Sequence, residues 1–334
     1  MQHNKNTHKT NGGNGLKYIE STIEDIYINL ALEEYIYQNL KNDDYFMLWK
    51  NDNSIVLGKY QNTFEEINTK EAEKKGMKVA RRNTGGGTVF HDKGNLNYSI
   101  IKNVGTNTFA DYDSFLIPMI SALNAIGVKA EKRRTSDIVI EGKKISGSAQ
   151  TLRAGRILHH GTLLFNADLS LLENMLKTTE GKIESRSVKS VRSIVTNIKD
   201  HIEENISLNE FKEALLQALF PDGIEKVELT IDQMAEVYDL AKSKYSDWNW
   251  NYGNSPEFSF EKNSMLSNEN LIINLQIKKG IIVACKIKGT NIPCSHIESI
   301  MVGSRYSYKE VLNKLQESNL FTNINYKELA DCFF

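Results

Sequence analysis

Cysteine is scarce: the 334 residues hold three, Cys285, Cys294 and Cys332, and the first 284 residues hold none. An odd number at irregular spacing excludes a disulfide framework, and no pair has metal-ligand spacing. The simplest setting for such a chain is a reducing, cytoplasmic one. No apolar run approaches the roughly 18 residues that a bilayer span requires, so no membrane partner is expected. The opening MQHNKNTHKTNGGNG lacks the basic-then-apolar order of a signal peptide, and residues 1–15 read as a disordered tail. Net charge is −1, so the overall balance points to no nucleic-acid partner. What remains is an ordinary globular composition, with 40% hydrophobic and 25% charged residues. The length suits one large domain with a smaller companion.

Periodicity predicts a helix over 28–40, where Leu30, Ala31, Tyr35 and Tyr37 recur at near-helical spacing. Short apolar runs at 45–49 and 54–57, bounded by Asn and Asp, predict buried strands. A polar helix closes at Gly76, strands flank Gly85-Gly86-Gly87, and a further strand runs over 95–101. An amphipathic helix follows over 112–127. Three strands over 137–140, 144–152 and 157–165 form a meander that turns at Glu141-Gly142 and Ala154-Gly155. A short helix is expected over 169–176. Residues 177–195 are charged and weakly patterned and predict a long mobile loop. Asn254-Ser255-Pro256 marks a boundary, and beyond it strands over 271–277 and 281–287 and a helix from Tyr308 predict a small α+β domain. The expectation is an α+β protein: a large mixed-sheet domain over 16–250 and a small accessory domain over 255–334.

Three segments carry chemistry. In Arg81-Arg82-Asn83-Thr84-Gly85-Gly86-Gly87-Thr88-Val89-Phe90-His91, three glycines expose backbone N–H groups without Cβ obstruction, as a phosphate cradle requires. The two arginines bring fork-shaped cations suited to phosphate oxygens. A tight hairpin with solvated arginines is the plainer alternative. The segment is neither a Walker A loop nor a dinucleotide fingerprint, since Gly-Lys-Ser/Thr is absent and a strand follows. In Lys143-Lys144-Ile145-Ser146-Gly147-Ser148-Ala149, a lysine opening a small-residue strand can set its ammonium against a phosphate or developing oxyanion. Strand alternation sends Lys143 to the opposite face. His159 and His160 likewise point to opposite faces, which makes them a poor joint metal site, and His91-Asp92 reads equally well as turn polarity. Between Lys129 and Arg156 stand eight Lys/Arg against three Asp/Glu, a patch able to steer an acidic protein or to protect a strand edge.

In this order the segments resemble the lipoate–protein ligase family over nearly the whole chain after the tail. Residues 81–92 with Gly94-Asn95 resemble its lipoate- and nucleotide-binding loop, and Lys144–Ala149 its catalytic-lysine segment. His159–Leu164 resembles the next strand, and Ser190-Val191-Arg192-Ser193 with Val195-Thr196-Asn197 the end of its adenylate-binding loop. Trp248–Gly253 is similar to the aromatic segment ahead of its accessory domain. The resemblance implies a biotin/lipoate ligase-like fold and attachment of lipoate to a lysine of a carrier protein. ATP and Mg2+ would be used, lipoyl-AMP would be the intermediate, and the carrier would be a 2-oxoacid dehydrogenase E2 lipoyl domain or the glycine cleavage H protein. ATP and adenylate contacts would fall on Arg82, Gly87, Thr88, Val89, Phe90, Asn95, Asp137 and Lys144. Lipoate contacts would fall on Arg82, Gly85, Gly86, Lys144, Gly147, His160 and Gly161, with Lys144 catalytic and the metal ligands unassigned. The family shows Asn-Asp where this chain has Ser136-Asp137. An ATP-independent acyl transferase would need a cysteine nucleophile, absent before residue 285, and a biotin ligase would need a Gly-Arg-Gly-Arg loop, not found here. A non-catalytic acyl-adenylate or lipoyl-protein binder is the third alternative.

Overall fold

A computed structural model describes residues 15–104, 111–176, 181–289, 292–319 and 325–334. The reading of a disordered tail therefore falls almost wholly outside the described residues. In chain order the first half runs β1 (Leu16–Glu20), α1 (Ile26–Asn39), β2 (Asp44–Trp49), β3 (Ser54–Leu57), α2 (Thr63–Glu66), α3 (Thr69–Lys74), β4 (Lys78–Arg81), β5 (Val89–His91) and β6 (Asn95–Asn103). Then come α4 (Asp113–Ala125), β7 (Glu131–Arg133), β8 (Asp137–Ile140), β9 (Lys143–Arg153), β10 (Arg156–Leu164), α5 (Leu169–Met175) and β11 (Lys182–Ser185). The last third holds α6 (Leu208–Leu219), β12 (Glu225–Lys226), α7 (Ile231–Leu240), β13 (Phe258–Leu266), β14 (Glu269–Lys278) and β15 (Ile281–Lys288). It closes with α8 (Cys294–Met301), α9 (Tyr308–Glu317) and α10 (Tyr326–Asp331).

The main sheet has the order β12-β1-β2-β6-β10-β9-β8-β7 and is mixed, because β1 pairs in parallel with β2 and β12. Alternation divides its residues between two layers. On one face Phe46, Leu48, Tyr98 and Leu163 pack under α4 and α6 through Leu116, Met119, Phe211 and Leu215. On the other, Met47, Trp49, Ile101 and Leu158 pack under α1 and α7. The small sheet β4-β3-β5 lies beside this second layer, with its own core closed by α3 and α5. The third sheet, β11-β13-β14-β15, packs on α8 and α9 through Ile273, Leu275, Ile282, Ile297 and Val311. The large mixed sheet and the separate α+β C-terminal region expected from the sequence are both present.

One expectation, the mobile loop over 177–195, changes. Residues 182–185 are no mobile loop but β11, the edge strand of the C-terminal sheet, paired antiparallel to β13. Their partner lies more than 70 residues away in sequence, so nothing local announces it. Further on, Lys144 N–H donates to Ile194 O at 2.8 Å and Thr196 N–H donates to Lys144 O at 3.0 Å, which ties 194–196 along the start of β9. The part of that reading covering 177–180 lies outside the described residues.

Candidate active site

Between the α1-side face of the main sheet and the small sheet lies a cavity of about 450 Å³. Its half-exposed mouth is lined by Gly86–Thr88, Arg134–Asp137, Lys144, Gly147 and Val188–Val191, and its buried end by Leu30, Trp49, Val56, His91, Asn97 and His160. Trp49, Asn97 and Thr162 stand across from one another on β2, β6 and β10, so one row of the sheet forms part of the wall.

Lys144 is at the mouth. Its Nζ lies 2.7 Å from Asp137 Oδ1, with side-chain exposures of 26% and 6%. Regular alternation would send Lys144 and Gly147 to opposite faces of β9, three residues apart. A register shift beside Ile138 and Val139 pairs Val139 with Lys144 but Ile138 with Ser146, leaving Ile145 over as a bulge. The bulge turns Lys144 to the same side as Gly147. A Cβ on Gly147 would come within 2.7 Å of the ammonium, so glycine clears the place the lysine occupies. Lys143, by contrast, is exposed.

The glycine loop lines the same cavity as this ammonium. Arg82 borders it and holds its shape: Nη2 donates to Gly85 O (2.6 Å) and Gly87 O (2.8 Å), Nη1 to Val56 O (3.1 Å) and Nε to Thr84 Oγ1 (2.9 Å). Arg81 departs from the sequence expectation. Its guanidinium is wholly buried on Gly58 O, Gln61 O, Asn251 O and Trp250 O, away from the cavity lining, and burial pulls its pKa down to about 10. It is a brace, gripping the aromatic segment from the far side of the sequence, where Trp250 Nε1–H donates back to Arg81 O at 2.7 Å.

Thr88 N–H, at the end of the glycine loop, donates to Ser190 Oγ at 2.9 Å. Ser190 also accepts from Gln61 Nε2–H at 3.0 Å, and its hydroxyl donates to Glu66. In this way the segment after β11 sits on a backbone donor that a phosphate oxygen could take.

A buried chain of polar groups backs the cavity. Thr84 Oγ1 meets His160 Nε2 at 2.7 Å, His160 Nδ1 meets Glu33 Oε1 at 2.8 Å, and Ser99, which donates to Glu33 at 2.5 Å, accepts from Trp49 Nε1–H at 2.9 Å. His159, on the opposite face, stacks on Phe115 at 4.6 Å and contacts Gln150 at 3.0 Å; burial lowers its pKa to about 3. Asp92 turns from His91, accepting from Gly94 N–H and Asp168 N–H, so the pair is turn polarity and not a dyad.

A model of the lipoyl protein ligase A/B catalytic domain matches residues 25–220, and one of the bacterial lipoate protein ligase C-terminus matches 255–333. The chain belongs to the lipoate–protein ligase family. Among curated relatives of this ligase, LplJ of Bacillus subtilis is 38% identical over 93% of this chain and 98% of its own length. Lipoate–protein ligase 1 of Staphylococcus aureus is 35% identical over 92% and 95%. Among solved structures, lipoate-protein ligase A bound with ATP superimposes with a TM-score of 0.60 at 26% identity, over 73% of this chain and all of that one. P. falciparum LipL1 in complex with lipoate gives 0.60 at 25% identity, over 95% and 97%.

Of the ligase residues singled out from sequence, Arg82, Gly86, Gly87, Thr88, Val89, Asp137, Lys144, Gly147, His160 and Gly161 all line the one cavity. Gly85, Phe90 and Asn95 are not among its lining: Phe90 packs in the core with Ile55 and Leu57, and Asn95 is buried, donating to Asn97 Oδ1 at 2.9 Å. Gly161 is bare because Tyr98 needs the room on the opposite face, where a Cβ would come within 2.5 Å of its hydroxyl. Sequence reasoning missed Trp49, Asn97, Glu33, Glu66 and Gln61. Only Trp49, in an otherwise apolar strand, carried a local signal.

Proposed function

We propose that the chain ligates free lipoate to a lysine of a lipoyl carrier in two steps. Lipoate and Mg-ATP give lipoyl-AMP and pyrophosphate; a carrier lysine then attacks the mixed anhydride and releases AMP. The observation that carries this reading is the Lys144 ammonium standing on Asp137 in the cavity that Gly86–Thr88 also line. Adenylation needs the carboxylate in line with the α-phosphate and charge neutralised as pyrophosphate departs. Lys144 serves both by touching the carboxyl oxygen and the α-phosphate, and in the second step it steadies the leaving AMP. A magnesium ion would come with the nucleotide and neutralise charge on its phosphates, a hard-oxygen role that needs few protein ligands.

The nucleotide side falls to Arg82, Gly87, Thr88, Val89, Phe90, Asn95 and Asp137, with Phe90 and Asn95 acting from outside the lining. The acyl side falls to Arg82, Gly85, Gly86, Gly147, His160 and Gly161, with Leu30, Trp49 and Val56 giving a dry bed for the tail. The exposed Val188, Val191 and Ile194 supply apolar surface that closes over the adenylate once Ser190 yields the Thr88 N–H. Working units of 16–250 and 255–334 share β11. The basic rim over 129–156 suits the acidic neighbourhood of a lysine on an E2 lipoyl domain or H protein. The ATP-bound and lipoate-bound relatives support the same assignment.

Acid-dependent ATP–pyrophosphate exchange tests the reading. Exchange with lipoate, little with biotin, and lipoylation of an added lipoyl domain are expected. No exchange with lipoate or octanoate would sink it, and acyl transfer from carrier to carrier without ATP would replace it with the transferase.

A further inference from the structure

His91 ends β5 at the buried end of the cavity, and its proton can be placed from its neighbours. Asn29 Nδ2–H donates to the Ile23 and Lys50 carbonyls at 2.7 and 3.0 Å, while Asn29 Oδ1 accepts from Ser21. The Asn51 atom facing that Asn29 nitrogen at 2.8 Å is therefore its oxygen, Oδ1. Its other amide atom, Nδ2, is then the donor that meets His91 Nδ1 at 2.8 Å. A nitrogen that accepts carries no proton, so the proton of the neutral ring sits on Nε2. Burial keeps the ring neutral by lowering its pKa to about 3.

Nε2 is buried and meets no acceptor among the described residues. The ring stands edge-on to Trp49, at 5.8 Å and 78°, and lines the same pocket as Leu30 and Val56. A buried N–H without an acceptor has lost its hydration with nothing in return. Any tail seated there without a lone pair leaves that loss uncorrected, whereas a sulfur atom, though a weak acceptor, offsets part of it and packs well on an aromatic ring.

We propose that His91 is a specificity-determining residue for the acyl tail: its Nε2–H favours a tail that carries a lone-pair atom, such as a dithiolane sulfur, over a saturated hydrocarbon of similar length. The inference rests on the ligase reading above. Apolar walls alone separate such tails weakly, while a buried donor left without an acceptor adds to the discrimination.

The test is the ratio of kcat/KM for lipoate over octanoate in ATP–pyrophosphate exchange, for the full chain and two variants. His91→Phe keeps a ring and removes the donor; the ratio should fall about tenfold, octanoate rising as lipoate falls. His91→Gln keeps an amide N–H near the place of Nε2 and should hold the ratio within about twofold. A His91→Phe ratio equal to wild type, equal losses for both acids, or a His91→Gln ratio as low as that of Phe overturns the assignment. Should His91→Phe fail to fold, calorimetry on the wild type decides: 7-oxaoctanoate, with an ether oxygen in its tail, should bind more tightly than octanoate despite being more polar, and weaker binding overturns the proposal. Wild-type protein that exchanges with neither lipoate nor octanoate would instead remove the ligase reading and this inference with it.

Discussion

The two ends of the cavity are built on opposite plans. At the mouth the groups are charged or polar and stand at the edge of solvent, Lys144 on the buried carboxylate of Asp137, Ser190 on Thr88, and the bare glycine loop. At the inner end nearly everything is buried, and the single carboxylate, Glu33, is held by His160 and Ser99. A charge left near water costs little to keep and can be handed to a phosphate. A charge sunk into the core is costly unless every partner is present. On the proposed function, reaction chemistry falls where groups can exchange partners, and shape selection where they cannot.

Variants at each end should fail differently. Lys144→Ala should keep the fold and lower turnover on the order of 10²–10³-fold, as for loss of one oxyanion-type contact; single-turnover formation of the acyl-adenylate reads it, and an unaltered rate would refute the assignment. Glu33→Ala should act on stability, since it strands His160 and Ser99 in the core; about 3 kcal/mol is expected from breaking a buried pair, measured by urea unfolding. Equal stability with slower turnover would mean that the inner end is not the rigid one. A pH series sharpens the point. His91 and His159 have folded-state pKa values lowered to about 3, while the unfolded chain binds their protons below about 6.5. Between those limits stability should fall as pH falls, by about 1.4 kcal/mol per unit for each ring at most. His159→Phe should remove about half of the part of that slope due to the two rings. The smallest effect belongs to Ser190→Ala, which removes the hydroxyl contacts of the segment after β11 to Glu66 and Thr88 and leaves its backbone N–H on Glu66. Tryptic cleavage at Arg186, Lys189 or Arg192 should speed up about fivefold, in line with roughly 1 kcal/mol of lost hydrogen bonding.

Much of this was legible in the sequence because its signals are local. The apolar run 45–49, the turns at Glu141-Gly142 and Ala154-Gly155, and Gly76 with its φ of +62° each announce an element through neighbouring residues. Helices α6 and α7 were just as legible and went unread, for Ser207 with Glu210 and Thr230 with Gln233 form capping boxes. The bulge at Ile145 was not legible. It depends on how β8 lies against β9, and without it alternation would turn Lys144 from Gly147. Arg81 and Arg82 read alike as neighbours in a motif, yet only Arg82 borders the cavity, because the carbonyls that hold Arg81 come partly from residues 250 and 251. Distance along the chain, not subtlety of composition, separates the two groups.

The edge strand β11 carries a practical consequence for anyone who would cut this protein in two. A chain stopped at residue 254 would keep Lys182–Ser185 but take away β13, the strand they pair with. The excised C-terminal piece would meanwhile bare the flank of β13, an open invitation to another strand. Such a cut falls in a gap between two family matches, yet it would tear a sheet, and it would do so in the segment that leads directly to the cavity mouth.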